Sequence, residues 1–325
     1  MPGRRWLRAL APLAVLACAG LVVSGCGGGG GGAKKGKPVT LKVGVIPIAD
    51  VAPLYLGIKK GFFKQQKLTL KPQLASGGAA ILPAVVSGNV QIGFTNTISL
   101  LIASSKGLPV QIISQGVSGG TNKAKPWADL LVLKSGPIKT GKDLEGKTIA
   151  VNTLNNVCQV TIEASLQKQG VNVKKLKFTE VDFPDMLAAL QGHRVDGACE
   201  VEPFVSLGKA DGAKGIDPFY INTAPNYTVA TYFTTKSYAS KNSDVVKRFV
   251  DAMSKSLTYA QSHPAEVRKV LPTYTKIPPA AAQKINLPVW STDLNRPTIA
   301  LASKLSKKYG LISKEPNLND LIKQP

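Results

Sequence analysis

Apolar and polar positions alternate along residues 39–46 (VTLKVGVI), a β-rich stretch that stops at Pro47 and predicts a first strand. Residues 53–64 (PLYLGIKKGFFK) read as a helix closed by Gly61, and alternation returns over 68–74. Ser76-Gly77-Gly78 then opens a helix over 79–87 that Gly88 stops, and a short strand follows at 90–94. Thr95-Asn96-Thr97 opens a helix over 98–106, stopped by Gly107, before a strand at 110–114. Strands and helices taking turns across short polar joints predict a parallel sheet covered by helices. The rhythm then restarts, with strands at 130–134, 147–151, 176–181 and 195–199 and a helical turn at 142–146. Helices occupy about 156–169 and 183–191, the second stopped by Gly192. A strand at 228–235 leads back, and from residue 243 the chain reads as mostly helical. The expected fold class is α/β with two lobes, each a mainly parallel sheet flanked by helices. Residues 39–120 and 230–325 form lobe I and 121–229 form lobe II, inserted between its parts.

The first 38 residues follow another pattern. Arg4, Arg5 and Arg8 precede an apolar run at 10–23, shorter than the ~20 residues needed to span a bilayer. It ends in Val23-Ser24-Gly25-Cys26, which resembles the bacterial lipoprotein cleavage signal. There a cysteine thiol receives diacylglycerol and becomes the first residue after cleavage. Residues 1–25 are accordingly expected to be a signal peptide of lipoprotein type, with Cys26 lipidated. The unbroken glycines from Gly27 to Gly32 make 26–38 a flexible tether. The expected location is the extracytoplasmic face of the cell membrane, held by lipid.

With 41 Lys and Arg against 19 Asp and Glu, the chain carries a formal charge of +22. Such an excess invites a nucleic-acid reading. The lysines, however, occur singly or in pairs (Lys59-Lys60, Lys174-Lys175, Lys307-Lys308), with no basic helix or aromatic interleaving. A solvated surface beside anionic headgroups or wall polymers is the expectation, without nucleic acid as partner. Of the four cysteines, Cys18 leaves with the signal and Cys26 carries lipid, so Cys158 and Cys199 remain in an oxidising compartment. They form either one bridge or two small buried apolar side chains. His193 and His263 lack neighbours at metal-ligand spacing, so neither metal nor cofactor is expected.

A set of short motifs points to a family. Gly57-x-x-x-Gly61-Phe62-Phe63, Gly77-Gly78, Ser87-Gly88 and Gly93-Phe94 occur in order. They are followed by Lys142-Asp143-Leu144-Glu145-Gly146-Lys147 before 148–151, and by Gly192-x-x-Val195-Asp196-Gly197-Ala198 ending in Glu202-Pro203. Together these resemble the substrate-binding proteins of the nitrate/sulfonate/taurine type, which include binders of a thiamine-pyrimidine precursor. The resemblance runs from about residue 39 to about 322. It implies a type II periplasmic-binding-protein fold and capture of a small solute in a cleft between lobes. The expected partners are that solute and the permease of an ABC importer, with the protein itself a monomer.

In open α/β sheets ligands bind beyond the carboxyl ends of the strands. The turns falling there supply the candidate ligand-binding residues: Ile48 and Asp50; Ser76, Gly77 and Gly78; Thr95, Asn96 and Thr97; Asn152, Thr153, Asn155 and Asn156; and Glu200 and Glu202. Helix N-termini in several of these turns suit polar or anionic oxygens. Ser76, Thr97 and Asn152 could equally cap their own helices. The turns hold no Arg or Lys but do hold three carboxylates, which favours an amine-bearing or zwitterionic organic molecule over a bare anion such as nitrate or bicarbonate. Tyr227 and Tyr232 flank the return strand and could stack on a ligand or simply pack. Crossovers near 118–127 and 224–231 are the expected hinges, the first joined through the connecting stretch Gly116-Val117-Ser118-Gly119-Gly120.

Catalysis finds little support. There is no Gly-x-Ser-x-Gly elbow, no P-loop and no Gly-x-Gly-x-x-Gly after the first strand. A fungal member of the fold makes the thiamine pyrimidine by consuming its own histidine, but its cysteine-rich signature is missing here. A wall-binding adhesin would explain the anchor and the charge but not the two-lobe pattern.

Overall fold

The computed structural model describes residues 36–324; the expected signal peptide, Cys26 and most of the glycine tether lie outside the described residues. Among the described residues, ten strands form two sheets of five. The first contains β1 (Val39–Val45), β2 (Leu68–Leu74), β3 (Ile92–Asn96), β4 (Val110–Ser118) and β10 (Thr228–Thr235). The second contains β5 (Ala128–Leu133), β6 (Thr148–Val151), β7 (Lys177–Glu180), β8 (Gly197–Val201) and β9 (Ala213–Asp217). Their orders are β2-β1-β3-β10-β4 and β7-β6-β8-β5-β9. In each sheet four strands run one way and one opposes them: β10 is antiparallel to β3 and β4, and β5 to β8 and β9. The opposing strand is in each case the one that joins its sheet directly from a crossover. The two sheets thus repeat one topology, and helices flank both, as the sequence pattern predicts.

β1 shows how patterning becomes burial. Thr40 and Lys42 point to solvent while Leu41 and Val43 are buried, but 43–45 are all buried because β2 and β3 flank the strand and helices cover both faces. The helix expected over 53–64 is two: Ala52–Lys59 and Phe62–Gln65, separated at Gly61, whose φ of +74° is the left-handed geometry glycine tolerates. Gly57 sits where the first of these meets the long helix Ser243–Ser262. A Cβ there would lie 2.0 Å from the Ser256 hydroxyl oxygen, so only glycine permits the approach. Tyr232, Phe94, Phe63 and Phe249 fill the core between this helix and the sheet.

The crossovers are shorter than the sequence suggests. β4 extends through Ser118 and β10 begins at Thr228, because the two strands pair along most of their lengths. That leaves 119–127 and 224–227 outside the strands, and these are laced together: the Gly119 amide donates to the Tyr227 carbonyl and the Asn226 amide to the Gly120 carbonyl, both at 2.9 Å. Among the elements that escaped the sequence reading are the helix Phe204–Ala210, β9, and the helices Phe219–Thr223 and Lys236–Lys241. Cys158, on the helix Val157–Lys168, is bridged to Cys199 of β8 with Cα atoms 6.1 Å apart. Among the described residues no helix is long and apolar enough to cross a membrane, and no group of three or more His, Cys, Asp or Glu could hold a metal.

Candidate ligand-binding site

The carboxyl ends of the two sheets meet. The Ala49 amide in the turn after β1 donates to the Glu202 carbonyl beyond β8 at 2.9 Å, and the Asn156 amide nitrogen reaches Ser99 Oγ at 3.5 Å. Gly77 comes so near Thr153 and Asn152 that a Cβ there would lie 3.0 Å from Thr153 Oγ1. Between the lobes is a cavity of about 30 Å³, lined by Ile48, Asp50, Phe94 and Asn96 from one side and Asn152, Asn156, Cys158, Phe183, Val201 and Tyr220 from the other. That is room for only about a water or two, so a solute can enter only if the lobes part. Outside it lies a rim basin of about 280 Å³ lined by Gly78, Ser99, Thr153, Leu154, Asn155 and Asn156. Asn156 belongs to both. A larger basin of about 450 Å³ lies against the crossovers, lined by Lys125, Arg268 and Lys284. Its lysines are exposed and none of the sheet-end turns reaches it, so the interlobe cavity is the better candidate.

Asp50 is the one ionisable acid of the inner cavity. It is 3% exposed, and its Oδ1 has no hydrogen-bond partner. Burial pushes its carboxyl from 3.8 up to about 7, against a smaller pull from its own backbone amide. Its turn is held firmly: the Trp290 indole donates to the Asp50 carbonyl at 3.0 Å and the Tyr274 hydroxyl to the Ile48 carbonyl at 3.1 Å. Tyr220, Tyr232 and Tyr274 surround the carboxylate. Burial holds their hydroxyls well above the usual range, reinforced at Tyr220 by the charge of Asp50 and at Tyr232 and Tyr274 by Tyr55 and then Asp50.

The other expected residues divide. Asn96 lines the cavity while capping the helix Thr97–Ser105, its Oδ1 accepting from the Ser99 amide at 2.9 Å. Asn156 likewise caps the helix Val157–Lys168. The caps are therefore Asn96 and Asn156, where Thr97 and Asn152 were the sequence candidates. Thr97 donates to the Thr228 and Val229 carbonyls at 2.8 and 3.2 Å, which ties β10 to its helix and takes the hydroxyl out of the cleft. Ser76 is exposed and lines neither cavity; Gly77 takes the N-cap position of Gly78–Val86. Thr95 lies beneath Gly78, where a Cβ would fall 1.9 Å from its hydroxyl oxygen. Its Oγ1 is buried without a partner, as is that of Thr231 paired across from it.

Glu200 and Glu202 require correction. β8 continues to Val201, which lines the cavity, so alternation turns Glu200 to the other face of the strand, while Glu202 sits in the turn just beyond and its side chain lines no part of the cavity. There Glu202 accepts from Ser206 Oγ at 2.6 Å, the Ser206 amide at 3.2 Å and the Asn286 amide at 3.1 Å. Glu200 lies across from Asp129, and burial with the neighbouring Glu202 charge raises it well above its ordinary value. Tyr227 and Tyr232 are packing residues: both are buried, Tyr227 stacked on Tyr220 and Tyr232 wedged between Phe94 and Phe249. Sequence reasoning missed Tyr220, Phe183 and Ser99. The aromatic run Phe219-Tyr220 between Pro218 and Pro225 was the available signal for the first.

With this geometry in place, comparison with known proteins decides the family. Residues 48–267, well over half the chain, match the family described as NMT1/THI5 like. The chain belongs to the NMT1/THI5-like family. Among its relatives in that fold, the taurine-binding periplasmic protein of Escherichia coli (strain K12) is 28% identical over 188 residues, covering 58% of this chain and 56% of the relative. A putative aliphatic sulfonates-binding protein of the same organism is 26% identical over 180 residues, covering 55% and 54%. The matched region thus spans about half the length of these two curated relatives. The alkanesulfonate-binding protein SsuA from Xanthomonas axonopodis pv. citri, solved bound to MOPS, superimposes with a TM-score of 0.76. At 19% identity, covering 89% of this chain and 99% of that one, it shares the fold.

Proposed function

We propose that this NMT1/THI5-like protein is the extracytoplasmic solute-binding component of an ABC importer and catalyses no reaction. Its solute is a small polar organic molecule, sulfonate- or taurine-like or thiamine-pyrimidine-like. One observation carries the reading: Asp50 and Asn96 from one lobe and Asn152 and Asn156 from the other converge on a single interlobe cavity. Amides and carboxylates in a buried cleft fix a polar ligand's orientation, and the apolar lining (Ile48, Phe94, Phe183, Val201) excludes water around it. The names of the taurine- and sulfonate-binding relatives support the solute class. A bare inorganic anion fits less well, because the lining offers it no Lys or Arg and one carboxylate. Neither histidine lines the cavity, so a nucleophile placed there would have no imidazole base.

The residues we assign to the solute are Ile48, Asp50, Asn96, Asn152 and Asn156 in the cavity, with Gly77, Gly78, Thr153 and Asn155 at the rim. Cys26 would carry the lipid that holds the protein beside its permease, and the folded body would act as a monomer. Native mass spectrometry of protein purified from its own cells should detect a small organic adduct released on denaturation, and Cys26→Ala should shed the protein from membranes. A cleft that never carries a solute, or a solute consumed on incubation, would overturn the binding reading. Unchanged membrane association of Cys26→Ala would overturn the anchor.

A further inference from the structure

The interlobe cavity has an electrostatic imbalance that the fold does not correct. Its lining contains one acid, three side-chain amides and one phenol; no Lys, Arg or His is among them. The groups facing Asp50 come from three directions: Tyr220 of the helix Phe219–Thr223, Tyr232 of β10, and Tyr274, itself stacked on Tyr55 at 3.9 Å. None is a cation. With the lobes together Asp50 is 3% exposed and the protein offers its Oδ1 no donor. A buried carboxylate must find a positive partner or give up its charge. A permanently protonated aspartic acid would instead need an acceptor for its own O–H, and no side-chain hydrogen bond at Asp50 provides one.

We propose that Asp50 receives a cationic nitrogen of the solute, an ammonium or a protonated ring, and that until this nitrogen arrives the ionised carboxylate holds the lobes apart. The inference rests on reading the cleft as a solute site and adds what the solute must carry. In the open protein the carboxylate is hydrated. Closing over it alone strips that water and returns nothing, because the Ala49 turn then docks on Glu202 and seals the cavity. Closing over a bound ammonium replaces the lost hydration with a charge-assisted hydrogen bond. Selectivity and closure thus act through the same atom, and the solute's differential affinity for the closed state is placed on its nitrogen. A sulfonate or hydroxyl elsewhere on the solute would face the amides of Asn96, Asn152 and Asn156.

The test uses five probes: taurine; isethionate, which has the same sulfonate but a hydroxyl for the ammonium; ethanesulfonate; nitrate; and 4-amino-5-hydroxymethyl-2-methylpyrimidine. Affinity is read by calorimetry and closure by solution scattering, on wild type and the isosteric Asp50→Asn. Wild type should bind taurine or the aminopyrimidine at least tenfold more tightly than the three probes without a cationic nitrogen. Asp50→Asn should lose that discrimination and be more compact than wild type without solute. Independently of any variant, solute-free wild type should compact between pH 8 and pH 5, as a carboxyl raised to about 7 takes up its proton. Tight binding of isethionate, ethanesulfonate or nitrate equal to that of the nitrogen-bearing probes would overturn the inference while leaving the solute-binding reading intact. An unchanged preference in Asp50→Asn would do the same. Failure of wild type to bind or compact with any of the five would overturn both.

Discussion

At the scale of residues, the carboxylates define the molecule's response to pH. Asp50, Glu163 and Glu202 are each raised to about 7, in every case chiefly by burial. Their unfolded values lie near 4, so between about pH 4 and pH 7 the folded protein binds more protons than the unfolded chain. Stability must therefore fall as pH rises through that window. Glu145 acts in the opposite sense: its bond to Lys142 lowers it to about 2, so its contribution is lost only in acid below about pH 4.5. The solute-free protein should melt at a higher temperature at pH 5 than at pH 8. Asp50→Asn should reduce that difference, and scanning calorimetry across the range checks both. A melting temperature that rises toward pH 8 would show that groups lowered by folding, such as Glu145, outweigh the raised carboxyls and would contradict this account. The polar turn residues after strand ends pointed to Asp50, Asn96 and Asn156, since a hydrophilic residue beyond a buried strand has few places to go. Tyr220 could not be found that way, because its place depends on a helix of five residues without a cap or a period.

At the scale of elements, long patterned segments were legible and short half-buried ones were not. β1, β2 and β10 show clear alternation or sustained apolar character, and the sequence places them within a residue of their observed ends. β9 (AKGID) is a strand at the sheet edge with a half-buried middle, and nothing in its composition separates it from a loop. The error at Glu200 and Glu202 has one source. β8 runs over 197–201, two residues further along than the expected 195–199, so Glu200 is still strand, and Glu202 is the first residue of the turn beyond, its carboxylate held by Ser206 and Asn286. There Glu202 joins β8 to the helix Phe204–Ala210 and to Asn286. The Cys158–Cys199 bridge fastens a second helix to the same strand, directly beside the cavity. It closes a loop with a sequence separation of 41, for which loop entropy gives a stabilisation of about 4 kcal/mol. Cys158→Ser/Cys199→Ser should lower unfolding free energy by an amount of that order in a denaturant titration, and reductant should reproduce the loss in wild type. A loss of only a few tenths of a kcal/mol would mean that packing alone holds the pair together.

At the scale of the whole molecule, the two sheets repeat one topology and exchange their opposing strands through two short crossovers hydrogen-bonded to each other. The strand and helix periods of the sequence restart after residue 118, which is where the chain leaves the first five-stranded sheet for the second. They did not reveal that the cleft would be nearly sealed, with room for a water or two, since closure depends on side chains from distant segments meeting. Asn152 is such a side chain: buried, in the second lobe, and facing Asp50 and Asn96 across the cavity. If the protein works as a clamshell, Asn152→Ala should bind solute less tightly by about 1 to 3 kcal/mol, the cost of leaving a buried partner unpaired. The most direct measurement is solution scattering of the purified protein with and without saturating amounts of the solute it carries from its own cells. The radius of gyration should fall on saturation in wild type, and Asn152→Ala should need more solute to show the same fall. A radius of gyration that stays constant at full occupancy would contradict capture by closure between the lobes.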